Sequence, residues 1–327
     1  MNRYLSIVAL LLVLFACTQT KNNAFVQETV WNDANGDSIN AHGGALLYHQ
    51  GKYYWYGEAF KNGKYEGDTV ARIAGIACYS SSDLYNWENE GIVLPLDSVK
   101  KVAGTEHIEF VRKARVLYNE GTHKFVMWMH VENESKNYAH AGIATSDRPA
   151  GPYTFVKSLQ PNERMSADQT LFKDDNGKAY QICSSGNNAS IYVNELTGDY
   201  MSTTGRISRL FIGLWRKTPV MVKNNGLYYV LASAPGNDPN LLLYAVADSA
   251  LAEYRIAGNP CVGKDAEKSF QSQISFILPV EGKTGSYIAM FDKWNRTDPR
   301  KSQYVWLPVQ FDHGKMIIEW KDKWRID

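Results

Sequence analysis

GDSINAHGGALLYHQGKYYWYGE, residues 36–58, is the stretch that decides the fold. Turn residues and the Gly43-Gly44 pair open it. An apolar run, Ala45-Leu46-Leu47-Tyr48, reaches His49-Gln50-Gly51-Lys52 and returns as Tyr53-Tyr54-Trp55-Tyr56. Two β-compatible, aromatic-rich runs joined by a short Gly-containing loop predict a β-hairpin. His42 stands just before the first strand and Glu58 just after the second, so both polar groups fall at one end. Alone, that fits a capping His and a rim Glu on any sheet. The repetition of the hairpin gives it weight.

The same pattern returns at 114–132, 169–185, 218–234 and 272–294, with turns at Asp174-Asp175-Asn176-Gly177, at Asn224-Asn225-Gly226 and around 282–285. Starts lie about 50 to 70 residues apart, a propeller-like period. A second pair of strand-like runs follows each hairpin, as at 73–79, 139–145, 189–195, 241–247 and 303–311. Four strands per unit, five units and almost no amphipathic helix predict an all-β, five-bladed β-propeller. A many-stranded β-sandwich is the competing reading. In a propeller the first strand of each blade lines the central channel, so polar residues at those strand ends converge on one mouth. His42, Asp168 and Gln273 each sit just ahead of an inner hairpin, and Glu58 closes one.

Composition narrows the function. The chain has 327 residues, 44% of them hydrophobic, enough for a sizeable core. A formal net charge of +1 removes the long-range electrostatic case for nucleic acid or an anionic membrane surface. Twenty Tyr and nine Trp fit a sugar-stacking cleft and an all-β core equally well.

Residues 1–16 read as an export signal: Arg3 supplies a positive start and 4–15 is almost wholly apolar. The phrase Leu14-Phe15-Ala16-Cys17 resembles a bacterial lipoprotein processing site, which makes Cys17 the lipid-bearing residue, 17–23 a short leash and 24–327 the propeller. The expectation is an exported monomer held to the bacterial outer membrane by that lipid alone; plain secretion is the alternative. Cys78, Cys183 and Cys261 are an odd set at wide spacing, so they predict buried thiols and not a disulfide framework. His107, His123 and His140 show no metal-ligand spacing. No metal or cofactor is expected, a structural calcium being the one ion left open.

The phrases AHGGALLYHQGKYYWYGE (41–58), GIACYSSSDLYNWENEGIVL (75–94), RVLYNEGTHKFVMWMHVE (115–132), DQTLFKDDNGKAY (168–180) and SFQSQISFILPV (269–280) run in order along nearly the whole mature chain. Together they resemble glycoside hydrolase family 43, in the branch of the exo-β-1,3-galactanases. The resemblance implies a five-bladed propeller and hydrolysis with inversion, in which one group protonates the leaving oxygen and another activates water on the opposite face. It also places the roles. The general acid is the Glu of an Arg-Glu-Ala-Pro phrase, which here reads Arg216-Lys217-Thr218-Pro219, so the acid position holds Lys217. A substrate-touching Glu becomes Arg112 in Arg112-Lys113-Ala114-Arg115, and a third acidic position becomes Gly186. The Asp that tunes the acid is kept as Asp168, and the amide that stands in for a base carboxylate as Gln273. Substrate contacts fall to His42, Glu58, Arg112, Tyr138, Asn188 and Trp294. Trp294 reads equally well as a core ring. Asp238 lies where that branch carries an aromatic phrase, which leaves specificity open.

Lysine is a poor general acid. Its ordinary pKa of about 10.4 leaves it protonated and reluctant to release the proton near neutrality. The glycosidic transition state also builds positive charge, which cations at 217 and 112 oppose. The sequence therefore points to a carbohydrate-active protein acting on or binding β-galactan or arabinogalactan-like glycans, with impaired catalysis. An active inverting β-1,3-galactosidase with a rearranged acid is the alternative, with the loop carboxylates Glu106 and Glu109 as weaker replacements. A non-catalytic binding module is a second alternative, and a protein-docking propeller a third. Arg112 and Lys217 in a cleft also predict that an acidic sugar, such as a uronic acid, binds better than neutral galactose.

Overall fold

The computed structural model describes residues 22–61, 73–102, 104–135, 137–234, 241–295 and 297–326. The expected signal segment, Cys17 and Asp238 lie outside them. Five antiparallel sheets form the blades, each from one contiguous run of chain. Blade 1 has strands His42–His49, Lys52–Phe60, Ile73–Ser81 and Glu88–Pro95, and blade 2 has Phe110–Asn119, Lys124–Glu132, Ala139–Ser146 and Thr154–Leu159. Blade 3 runs through Ala167–Lys173, Ala179–Ser185, Ser190–Leu196 and Thr203–Leu210. Blade 4 uses Lys217–Asn224, Leu227–Ser233, Leu243–Ala247 and Arg255–Gly258. Blade 5 comprises Gln273–Pro279, Tyr287–Lys293, Gln303–Asp312 and Lys315–Glu319, with Cys261–Val262 added in parallel to the last. The first strand of every blade packs on the first strands of both neighbours, so the ring closes from Gln273–Pro279 onto His42–His49. This is the propeller that the repeat predicts.

The turns explain the register. His49 pairs with Lys52 and Asn224 with Leu227, leaving the two-residue loops Gln50-Gly51 and Asn225-Gly226. Both loops are left-handed at both positions (φ 48 and 86, 48 and 80). That is the hairpin turn whose twist matches the strands, and glycine takes its second position without steric cost.

Closure between the last and first blades relies on aromatic packing and the chain ends. Trp55 and Trp87 of blade 1 and Trp306 of blade 5 pack with Phe25, with ring centroids 5.0 Å apart for Trp55–Trp306 and 5.6 Å for Phe25–Trp306. Phe25–Val26 pairs with Lys323–Trp324. Gln27 acts as a one-residue strand: its amide donates to the Trp306 carbonyl at 2.8 Å and accepts from the Trp306 N–H at 2.8 Å. Much of the aromatic content is therefore core. At the entry to this segment, Asn22 and Asn86 clasp each other, the Asn22 N–H donating to Asn86 Oδ1 at 2.9 Å and Asn86 Nδ2 to the Asn22 carbonyl at 2.8 Å. The three described cysteines are buried and unpaired.

Candidate active site

Every blade's first strand carries the same irregularity near its start. Register shifts fall between His42 and Ala45, Arg112 and Arg115, Ala167 and Gln169, Lys217 and Val220, and Ile274 and Phe276. A bulge leaves one residue unpaired and re-aims its side chain. In four blades that residue is left-handed: Gly43 (φ 57), Lys113 (φ 51), Asp168 (φ 30) and Thr218 (φ 49). Left-handed backbone repeated at equivalent positions around one channel mouth, strained at Lys113, Asp168 and Thr218, marks where the fold aims its chemistry. Glycine at 43 has a spatial reason too. A Cβ there would lie 2.9 Å from Glu58 Oε1 and 3.0 Å from Lys113 Nζ, so its absence makes room for both.

Three carboxylates sit among the cations. Glu58 lies opposite His42, is buried, and accepts the Lys113 N–H at 3.3 Å. Asp292 lies opposite Gln273, is buried, and accepts the Gly43 N–H at 3.0 Å. Burial pushes both acids above their ordinary values, with Lys113 pulling each back. Asp168 goes the other way. Burial pushes it up, but Lys113, His130, Lys217 and Arg112 together outweigh that and hold it below its ordinary value, so it stays ionised. A buried chain of hydrogen bonds braces the next residue: Gln169 accepts from Gln181, which accepts from Asn194, which accepts from Asn162, at 3.0, 2.7 and 2.7 Å.

Lys217 opens the first strand of blade 4, opposite Ser233, and is half-buried. Burial lowers its ammonium, Asp168 raises it and Lys113 lowers it further, so the three groups share one electrostatic neighbourhood. Arg112 lies 3.8 Å from Glu132 and stacks its guanidinium 4.5 Å from the Phe110 ring centroid. Trp294 donates its indole N–H to Gln273 Oε1 at 3.2 Å and stands 5.8 Å from Lys113 Nζ, which ties the expected base-side amide to the site.

The remaining expected contacts are less central. His42 is fully enclosed by Phe60, Trp294 and Tyr304. Burial pushes its imidazole down to about 3, so it is neutral beside Asp292, 3.9 Å away. Tyr138 stacks on His140 at 3.7 Å, and its hydroxyl shares a 2.6 Å hydrogen bond with Ser158 on the outermost strand of blade 2. Asn188 is half-buried in a left-handed turn at the mouth end of blade 3. Gly186, with φ 60, is exposed. Glu109 is paired with Lys100 at 2.6 Å and Glu106 accepts the Gly104 N–H at 3.2 Å, both in the connection ahead of blade 2. Among the described residues no group of three or more His, Cys, Asp or Glu is placed to hold a metal ion.

Three buried residues of the cluster escape a reading by sequence: Lys113, Arg115 and Asp292. Lys113 is 5% exposed and its ammonium has no hydrogen-bond acceptor among the described residues. Arg115 plugs the channel, donating to the carbonyls of Gly43 at 2.9 Å and Ser275 at 2.6 Å and to Thr170 Oγ1 at 3.3 Å, so it binds blade 2 to blades 1, 5 and 3. Burial pushes its guanidinium down to about 10, opposed by Asp292, Glu58 and Asp168. The signal lay in Arg112-Lys113-Ala114-Arg115. That phrase puts three cations in four residues on a strand that starts at the channel. The expected basic mouth is accordingly only part of the picture: Arg112, Lys113, Arg115 and Lys217 face Glu58, Glu132, Asp168 and Asp292.

Residues 45–273 match the family model described as Glycosyl hydrolases family 43. Among solved structures, a β-1,3-galactosidase with galactodeoxynojirimycin is 37% identical, with a TM-score of 0.85 over 92% of this chain and 100% of that one. An exo-β-1,3-galactanase from Clostridium thermocellum is 32% identical, with a TM-score of 0.82 over 93% of this chain and 67% of that one. One from Phanerochaete chrysosporium, with β-1,3-galactotriose, is 29% identical, with a TM-score of 0.82 over 94% and 69%. A xylosidase/arabinosidase of Butyrivibrio fibrisolvens is 25% identical over 175 residues, which span 50% of this chain and 32% of that protein.

Proposed function

We propose, from the premise that this chain belongs to glycosyl hydrolases family 43, that its propeller mouth holds β-galactan or arabinogalactan-type glycans and cleaves them poorly or not at all. The observation that carries this is the ammonium of Lys217, in electrostatic contact with the ionised Asp168 where the resemblance calls for a protonated carboxyl. Burial lowers the Lys217 ammonium and Asp168 raises it only in part, but lysine starts from an ordinary value of about 10.4 against about 4.3 for a glutamate, so it is the poorer proton donor near neutrality. Relatives that act on β-1,3-galactosides support the choice of sugar. Within this reading, the half-buried cations Arg112 and Lys217 favour a sugar that brings a carboxylate.

Calorimetric titration of β-1,3-galactobiose, with product analysis of the same mixture, tests the proposal. Saturable binding without galactose release supports it, and efficient turnover refutes it. One observation favours a second reading. Burial pushes Glu58 above its ordinary value, with Lys113 and Arg112 pulling it back, and upward is the direction a proton-donating carboxyl needs. If the wild type turns over and Glu58→Gln abolishes the activity with binding intact, Glu58 is the rearranged acid.

A further inference from the structure

Of the nine tryptophans, all within the described residues, Trp215 alone is exposed, at 55%. It lies in the connection from Thr203–Leu210, the outermost strand of blade 3, to Lys217–Asn224, the innermost of blade 4. First strands begin at the mouth and fourth strands end there, so this connection lies on the mouth face, two residues before Lys217. Its neighbours in that connection are apolar and exposed as well: Ile212 at 60% and Leu214 at 40%, with Leu241 at 38% beside them. The loop is held in place. Phe211 is buried, the Gly213 N–H donates to the Ala189 carbonyl at 2.8 Å, next to Asn188, and Arg216 donates to the Leu241 carbonyl at 2.9 Å. Trp215 itself is left-handed (φ 47), an outlier for so bulky a residue.

Exposed large apolar side chains gathered in one connection on a propeller face mark a contact surface. We propose that Trp215 is a stacking platform for the second sugar of a glycan whose terminal residue sits among Asp168, Lys217 and Gln273. This rests on the reading of the mouth as a galactoside site and adds its reach along the chain. Continuity identifies the occupant. The platform adjoins the acid position, where the leaving-group side of a glycoside must lie, and the apolar face of a pyranose suits an indole as an aromatic ring does. The consequence is selectivity by length: Trp215 contributes nothing to a monosaccharide and something to every longer ligand.

The test is calorimetric titration of galactose, β-1,3-galactobiose and β-1,3-galactotriose into wild type, Trp215→Ala and Trp215→Phe, with circular dichroism to confirm folding. The expected result is that the di- and trisaccharide bind Trp215→Ala about tenfold more weakly than wild type, while galactose is unchanged and Trp215→Phe keeps most of the affinity. Equal trisaccharide affinity in wild type and Trp215→Ala overturns the platform and leaves the site intact. If wild type binds none of the three sugars, the reading of the mouth fails and the platform fails with it. Trp215-dependent sedimentation with phosphatidylglycerol vesicles, with sugar binding unaffected, overturns the proposal in favour of a membrane contact.

Discussion

On the proposed reading, replacing Lys217 by Glu should raise glycosidase activity. Two effects set the size. General acid catalysis is worth about 10² to 10⁴ in rate, or about 3 to 5 kcal/mol of barrier. Removing a cation near a transition state that builds positive charge is worth at most about 4 kcal/mol at a separation of about 4 Å and an effective dielectric of about 20. The structure trims the second figure. Lys113 and Arg112 remain after the substitution, although Glu132, 3.8 Å from Arg112, already offsets that guanidinium. The structure also helps the new acid, because Asp168 is ionised and close enough to shift Lys217. A carboxyl beside it is raised by like charge and so keeps its proton nearer neutrality. A gain of about 10² to 10⁴ in kcat/KM is expected, read as galactose release from β-1,3-galactobiose across the acid to neutral range. Lys217→Gln separates the two effects, since it removes the charge and supplies no acid; it should gain about tenfold at most. If wild type turns over and Lys217→Glu silences it, Lys217 is a working residue and the charge argument is wrong. Equal activity of the Gln and Glu variants would show that charge, and not proton donation, was the deficit.

Further consequences are open to measurement. Arg115→Met should cost about 3 to 5 kcal/mol in urea unfolding, because it strands the Gly43 and Ser275 carbonyls and takes a cation from among three carboxylates; an unchanged midpoint would contradict its role as the channel plug. Burial pushes His130 from 6.5 down to about 4. The unfolded chain therefore binds the extra proton in that window, and this imidazole lowers stability as pH falls from about 6.5 to about 4 at up to about 1.4 kcal/mol per pH unit. His130→Gln should flatten the slope by that amount, and parallel profiles would sink the idea. Galacturonic acid should bind about tenfold more tightly than galactose at low salt, since the half-buried Arg112 and Lys217 give its carboxylate cationic neighbours; equal or stronger binding of galactose would remove the acidic-sugar preference.

The propeller was legible because its signals are local. Alternating apolar runs, Gln50-Gly51 and Asn225-Gly226 turns, and their recurrence at blade spacing are all visible in a one-dimensional string. The site was legible only where position in the repeat stands for position in space. Asp168, Lys217 and Gln273 open inner strands, and the fold brings them to the mouth. Asp292 closes a second strand, and nothing near it in sequence announces that it meets the Gly43 N–H from the far end of the chain. Lys113 was hidden by the bulge, which turns toward the mouth a residue that strict alternation assigns to one sheet face. Tyr138 and Asn188 are set by loop conformation, where pattern carries least information.

The Asn22–Asn86 clasp bears on orientation. Asn86 lies in the turn between the third and fourth strands of blade 1. Such turns sit at the end of a blade remote from the starts of the first strands, so the polypeptide joins the ring on the face opposite Asp168 and Lys217. A tether on the amino-terminal side, if the protein has one, would therefore pull from behind. A surface attached there would carry the propeller like a cup set on its base, with the opening turned outward to polymers too large to pass beneath it.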